Sequence, residues 1–295
     1  MKKNNTLITI GKVLLFILVY MAARTIASFV GGLITGLINP NSKRMFDIVG
    51  LASLIIPVIV VLLFSRFVLK LKPQDLWLKH PKPGCKYLAG FVAGGVLFGA
   101  YMLFAVLSKQ LAFAGRGALS VWQMLLYLPA YAIQSFEEEL LTRGLLQRVI
   151  KDKWGVVPSI TLPSLIFVAL HLMNPGINFF ALLNIFLVGV LFSLMVYATG
   201  SLWLAAAAHG AWNFLQGPIF GQSVSGATGS GSFFRFEAVG QSDLVLGGNF
   251  GPEGSLVTAV IMLLGIGFYF WQWRRQVHSA TSEVAQANDD EIELG

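Results

Sequence analysis

The sequence predicts an all-α protein: a polytopic transmembrane helix bundle of about eight spans with both termini cytoplasmic. Three observations predict it. Of 295 residues, 56% are hydrophobic and only 12% are charged, against roughly 25% charged in soluble domains. Mean hydropathy is +0.71. The apolar residues also gather in runs near 20 residues long, the length at which a helix satisfies its own backbone across a bilayer. A water-facing globule lacks the polar surface it would need, a disordered chain would lack the apolar residues, and a disulfide scaffold is excluded because Cys85 is the single cysteine. The short alternating segments of a transmembrane β-barrel are absent.

Taken in order, runs bounded by charges, Gly or Pro mark spans at about Val13–Leu37, Phe46–Leu69, Tyr87–Leu107, Val121–Ile150, Val156–Met173, Ile177–Thr199, Ser201–Gln216 and Ser255–Trp273. The first run exceeds the apolar core of about 7–15 residues in a cleavable signal peptide, so it is expected to remain as a span. The fourth begins as a span and ends as a charged helix. These runs divide the chain into N-terminal helices (1–120), a polar-bearing core (121–216), a connection (217–254), a last span (255–273) and a polar tail (274–295) that ends in Asp289, Asp290, Glu291 and Glu293. The connection holds ten glycines, with stretches such as Ser225-Gly-Ala-Thr-Gly-Ser-Gly-Ser232. It reads as a flexible external loop or, alternatively, as a flap over a cavity mouth.

The net charge of +7 is a topology signal here rather than a nucleic-acid footprint. With the N terminus in the cytoplasm, thirteen basic residues fall on that side (Lys2, Lys3, the lysines of 70–86, Arg143, Arg148, Lys151, Lys153, Arg274 and Arg275). Five fall opposite (Lys43, Arg44, Lys109, Arg116 and Arg235). The positive-inside rule favours that orientation.

Ionisable groups within a bilayer cost about 3 kcal/mol each on insertion scales and mark bundle interiors and function. Of fourteen acids, only Asp47 and the consecutive Glu137, Glu138 and Glu139 enter the spans. In a helix Glu139 and Arg143, at i and i+4, share a face and can pair, while Glu138 points about 100° away. Glu137 points elsewhere again, with Arg24 as a candidate partner. His171 and His209 also lie in apolar helices, whereas His80 and His278 lie in polar segments and read as solvated. At 1.5 Å per residue, Glu138 lies about 18 Å from the end of its helix and His171 about 22 Å from the start of its own; His209 and Asn213 lie about 10 and 16 Å into the seventh span. In the derived topology all four reach one level.

Such a set can hydrolyse an amide. A carboxylate and an imidazole can hold a water, take its proton and return it to the leaving amine. His209 and Asn213, at i and i+4, can both donate to a developing oxyanion. Glu139 with Arg143 would orient Glu138, and Phe167, one turn before His171, would shield the imidazole.

Glu138-Glu139-Leu-Leu-Thr-Arg143, Phe167-Val-Ala-Leu-His171 and His209-Gly-Ala-Trp-Asn213 resemble, in order, the three motifs of the CPBP family of intramembrane proteases. That family includes CAAX prenyl endopeptidases and bacterial bacteriocin-processing or immunity proteins. The resemblance covers about Leu125 to Leu215, and Gly247–Gly254 is less specifically similar to bacterial members. It implies an eight-helix bundle and a glutamate-type endopeptidase, with Glu138 and His171 activating water and His209 and Asn213 as the oxyanion site. No cofactor is expected.

Other readings stay open. Glu138, His171 and His209 are also a zinc donor set, although HExxH is absent and Asn213 suits hydrogen bonding better. The polar cluster could instead be a structural lock in a non-enzymatic immunity or scaffold protein. A transporter lacks support because no inverted halves with broken helices are visible, and Cys85 lies far from both membrane histidines. The expected partners are the bilayer and a membrane-associated peptide or protein, not nucleic acid. The expected location is a bacterial plasma membrane, where an unlipidated peptide is the more fitting substrate. Oligomeric state is not legible.

Overall fold

The computed structural model describes residues 2–293, with side chains described for 10–279, 281 and 282. The chain is an all-α membrane helix bundle with one small two-stranded sheet. Helix α1 (Lys2–Ile38) buries Phe16, Tyr20, Ala23 and Ala27, while Leu14, Leu15, Leu18, Phe29 and Leu33 are exposed on its other faces. A 3–4 residue spacing inside and bare leucine outside is what a helix at a bundle's lipid surface requires.

The second expected span is two helices, α2 (Lys43–Ser53) and α3 (Ile55–Leu63), with a π-helical turn at Phe64–Val68. The ladder breaks where Leu54 N–H turns back to the Leu51 carbonyl (3.2 Å), three residues before Pro57, whose ring nitrogen cannot donate to Ser53. Helix α4 (Pro83–Leu107) starts on a proline, which the first helical turn tolerates.

Strand β1 (Leu111–Arg116) pairs antiparallel with β2 (Phe234–Ala238), Leu111 opposite Ala238 and Phe113 opposite Phe236. One extra residue between Phe113 and Arg116 bulges the ladder at Gly115, whose φ of 106° suits glycine. No strand was legible in the sequence.

Helix α5 (Val121–Glu139) opens on a capping box in which Ser120 and Gln123 each bond the other's backbone N–H. It passes through a π-helical stretch, Leu140–Leu146, into α6 (Gln147–Trp154), which stops at Gly155. Helices α7 (Val156–His171), α8 (Phe179–Thr199) and α9 (Leu202–Phe214) follow. After another π-helical turn at Leu215–Ile219 come the short α10 (Asp243–Leu246) and α11 (Leu256–Glu293). The residues expected as a polar tail thus continue α11, although the side chains of the terminal acids lie outside the described residues.

Helix α9 is the axis of the bundle, buried along almost its whole length among α4, α5 and α8. Its contact with α4 is unusually close. A Cβ at Gly90 or Gly94 would stand 2.1 Å from the carbonyl oxygen of Leu204 or Ala208 respectively. The Gly-x-x-x-Gly spacing lets two backbones meet where lipid offers no hydrophobic drive to pull larger side chains together.

Among the described residues five helical stretches are long and apolar enough to cross a membrane: Ile10–Ile38, Lys43–Val68 (α2, α3 and the π-helical turn together), Pro83–Leu107, Phe179–Thr199 and Leu256–Ser279. Val156–His171 is apolar but shorter. The expected fourth and seventh spans fall outside that set because α5 carries the carboxylates and α9 has only 13 residues. Helix α9 and the carboxylate-bearing end of α5 lie inside the bundle, where neighbours rather than lipid surround them, while Val121, Trp122 and Leu125 at the start of α5 are exposed.

Candidate active site

The π-helical stretch begins directly after Glu139, and such stretches recur at functional sites because they turn side chains away from their α-helical directions. Glu139 and Arg143 are both fully buried, and Arg143 Nη1 donates to Glu139 Oε1 at 3.0 Å. Arg143 Nη1 also lies 2.7 Å from Thr142 Oγ1, whose hydroxyl donates to the Glu138 carbonyl at 2.6 Å. The guanidinium carbon sits 4.7 Å from the ring centre of Phe167 and 5.7 Å from that of Phe192, so two aromatic faces add to one carboxylate in holding a charge away from water.

Glu139 Oε1 accepts a second bond, from His209 Nδ1 at 3.0 Å. A carboxylate can only accept, so that contact puts a proton on Nδ1 and sets the ring's orientation. His209 Nε2 then faces Glu138 Oε2 at 3.9 Å. Glu138 Oε1 lies 3.9 Å from Arg24 Nη1. Both distances exceed hydrogen-bond length, and Glu138 Oε2 is buried with no partner among the described residues. The Glu138 carboxylate therefore stands between two cationic or potentially cationic groups with lone pairs uncommitted.

The ring of Phe167 packs edge-on against His171 at 4.5 Å between centroids. His171 Nδ1 contacts the Phe167 carbonyl at 2.8 Å. That carbonyl also only accepts, so Nδ1 carries hydrogen, and in its neutral form the ring presents a lone pair at Nε2. Asn213 is held by a 3.0 Å bond from its Nδ2 to Gln134 Oε1.

One cavity of about 470 Å³ is lined by Glu138, His171, His209 and Asn213 together, with Arg24, Tyr131 and Gln134 on its walls. A second, smaller and more enclosed cavity of about 40 Å³ shares His171, His209, Asn213 and Ser225 with the first and extends between α4, α8, α9 and α11. The structure thus brings Glu138, Glu139, Arg143, Phe167, His171, His209 and Asn213 to one place. His80 and His278 line neither cavity.

Arg24 lies within electrostatic reach of Glu137, its expected partner, as well as of Glu138. Its near carboxylate is Glu138, and it also reaches Tyr20 Oη at 3.3 Å. Glu137 is buried with neither oxygen hydrogen-bonded. A helical wheel gives directions on one helix, whereas the approach of α1 to α5 decides which glutamate an arginine meets.

Gln134, Thr142, Phe192, Ser225 and Glu253 were not singled out for roles from the sequence. Gln134 and Thr142 had a usable signal, since each lies one helical turn from Glu138. Phe192 and Ser225 had none, because only the packed fold brings them near, and Glu253 was legible only as part of the Gly247–Gly254 stretch similar to bacterial members. The 217–254 segment, expected as a flexible loop or a flap, is stitched onto the site. Asn174 Nδ2 donates to the Ser225 carbonyl (2.9 Å), Gly226 N–H to the Phe250 carbonyl (3.0 Å), and Asn178 Nδ2 to the Gly247 carbonyl (3.2 Å).

The zinc alternative asks three donors to converge. Among the described residues no group of three or more His, Cys, Asp or Glu is arranged to hold a metal ion.

Residues 119–215 match the family model described as Rce1-like, type II CAAX prenyl endopeptidase Rce1-like. That family is one of membrane-embedded CAAX-type proteases. The matched third of the chain runs from the turn before α5 to the end of α9 and contains all three motifs, so the resemblance read from the motifs and the family match fall on one segment. No curated protein sequence matches the chain.

Proposed function

We propose that the chain is an intramembrane endopeptidase that hydrolyses a peptide bond of a membrane-associated substrate with a water activated by Glu138 and His171. The observation that carries this reading is that Glu138, His171, His209 and Asn213 line one cavity while Glu138 Oε2 and His171 Nε2 remain uncommitted.

In the proposed reaction a water in the cavity loses a proton to Glu138 as its oxygen attacks the scissile carbonyl, with His171 Nε2 accepting the water's other hydrogen as a hydrogen bond. The carbonyl π bond becomes an oxyanion. An imidazolium His209 donates to it through Nε2–H, and Asn213 donates through the amide hydrogen not spent on Gln134. Removing one such donor typically costs about 100-fold or more in rate. Collapse of the intermediate breaks the C–N bond, and the proton held by Glu138 passes to the leaving amine. Glu139 acts through His209, fixing which nitrogen faces the reaction. No metal or cofactor takes part in this scheme, and hydrolysis is expected to continue after strong chelation. The substrate is proposed to be an unlipidated peptide or membrane protein segment in a bacterial plasma membrane.

The buried Glu139–Arg143–His209 set favours one second reading, a structural lock in a non-enzymatic protein. Glu138→Gln separates the two. Comparative peptidomics of membranes carrying wild type or Glu138→Gln should show peptides lost in the variant while its melting temperature is kept; an unchanged cleavage profile would count against hydrolysis.

A further inference from the structure

The enclosed cavity beside the site has a chemistry of its own. Leu97, Ile185, Val188, Phe192, Trp212 and Met262 give it apolar walls. Its polar lining away from the shared histidines and Asn213 is chiefly acceptors. Glu253 Oε2 takes both Ser225 N–H and Ser225 Oγ–H (3.0 Å for the hydroxyl), while Glu253 Oε1 accepts no hydrogen bond among the described residues. Asn184 spends Nδ2 on the carbonyls of Glu253 (2.8 Å) and Ser255 (2.7 Å). Those two carbonyls fix its amide orientation, and Oδ1 is left buried with no donor among the described residues. Thr258 gives its hydroxyl hydrogen to the Pro252 carbonyl at 2.7 Å. No described lysine or arginine lines the cavity.

We propose that this cavity is the side-chain pocket of the site, and that Glu253 with Asn184 selects a residue with a long aliphatic stem and a primary ammonium tip, lysine above all, next to the scissile bond. The proposal rests on the peptidase reading for its placement, because the pocket shares His171, His209 and Asn213 with the reaction cavity. A lysine stem packs on apolar walls while its head seeks acceptors. Arginine fits less well: its planar fork wants both oxygens of a carboxylate, and Ser225 already holds Oε2. A single free carboxylate oxygen and one amide oxygen suit a compact ammonium.

Burial pushes the Glu253 carboxyl above its ordinary range despite the two Ser225 donors, and a cation in the pocket would offset that cost. The acid comes from the 217–254 segment and its junction with α11, so the cap is also the specificity element.

The test is cleavage of a proteome-derived peptide library by the full chain in liposomes, with cut sites read by mass spectrometry. Wild type should show lysine enriched at one position flanking the cut. In Glu253→Gln, which keeps the shape and an acceptor for Ser225, the lysine-to-methionine ratio at that position should fall by about 30-fold or more, the usual scale for losing one partner of a buried charge pair. Cleavage by wild type without lysine enrichment, or an enrichment unchanged in Glu253→Gln, overturns the proposal. A second measurement is independent of hydrolysis: the rise in melting temperature with n-butylammonium over that with 1-butanol, in wild type, Glu138→Gln and Glu253→Gln. An ammonium-specific rise lost only in Glu253→Gln supports the pocket even if no peptide is cut, in which case the hydrolytic reading alone fails. No ammonium-specific rise in wild type overturns the pocket.

Discussion

Neutralising Glu139 without changing its shape asks what the charges at the centre of the bundle contribute. In Glu139→Gln the amide oxygen can still accept from both Arg143 and His209 at the Oε1 position, so what disappears is the negative charge beside a fully buried guanidinium. At the 3.0 Å Nη1–Oε1 separation and an effective dielectric near 20, the lost attraction is about 5 kcal/mol. The rings of Phe167 and Phe192 beneath the guanidinium act on it in both proteins and leave that difference unchanged. The single variant should therefore lose about 3–5 kcal/mol, in line with breaking a buried pair from one side. Arg143→Met should lose less, because Glu139 keeps His209. The double variant, with no guanidinium stranded, should lie within about 2 kcal/mol of wild type, giving a coupling of about 2 kcal/mol or more in a double-mutant cycle. Reversible unfolding in bicelles measures all four proteins. Losses that simply add would show that the two groups do not act as a buried ion pair. On the peptidase reading, Glu139→Leu should lower turnover further than Glu139→Gln does, because it also removes the acceptor that orients His209.

Three other outcomes follow from the same structure. Gly94→Val should destabilise the bundle by about 1–3 kcal/mol, the usual cost of overpacking, since its Cβ would meet the Ala208 carbonyl at 2.1 Å; Gly99→Ala, with nothing within 4 Å of a new Cβ, should be silent, and equal melting temperatures for the two variants would contradict the close α4–α9 contact. Because burial raises the Glu253 carboxyl, the fold favours its protonated form: its contribution to stability is full below the ordinary carboxylate value of about 4.3 and is lost as pH rises through the raised value. The melting temperature of wild type minus that of Glu253→Gln should thus fall as pH rises from about 4 to 8, and a flat difference would refute the buried placement. Strong chelation of the purified protein should leave peptide hydrolysis in place, and loss restored by added zinc would turn the mechanism toward a metal.

Much of this protein is readable in one dimension. Bilayer insertion depends on the hydropathy of contiguous residues, so the helical class follows from the runs themselves, and Glu139 with Arg143 on one turn follows from helix geometry alone. The three motifs are short and local for the same reason, and they fall within the segment matched by the family model. Other features depend on how distant elements meet. The break at Leu54 and the π-helical stretch after Glu139 set where side chains of one helix point. The pairing of 111–116 with 234–238 joins residues more than a hundred positions apart. Arg24 nearest to Glu138, and Glu253 folded in beside His171 and His209, follow from interhelical packing. Sequence alone determined which groups were too polar to sit in lipid, because that cost is paid residue by residue. Only the tertiary structure decided which partners offset it, because a charge or an unpaired oxygen is satisfied by whatever the packed helices and the 217–254 cap bring within about 3 Å of it.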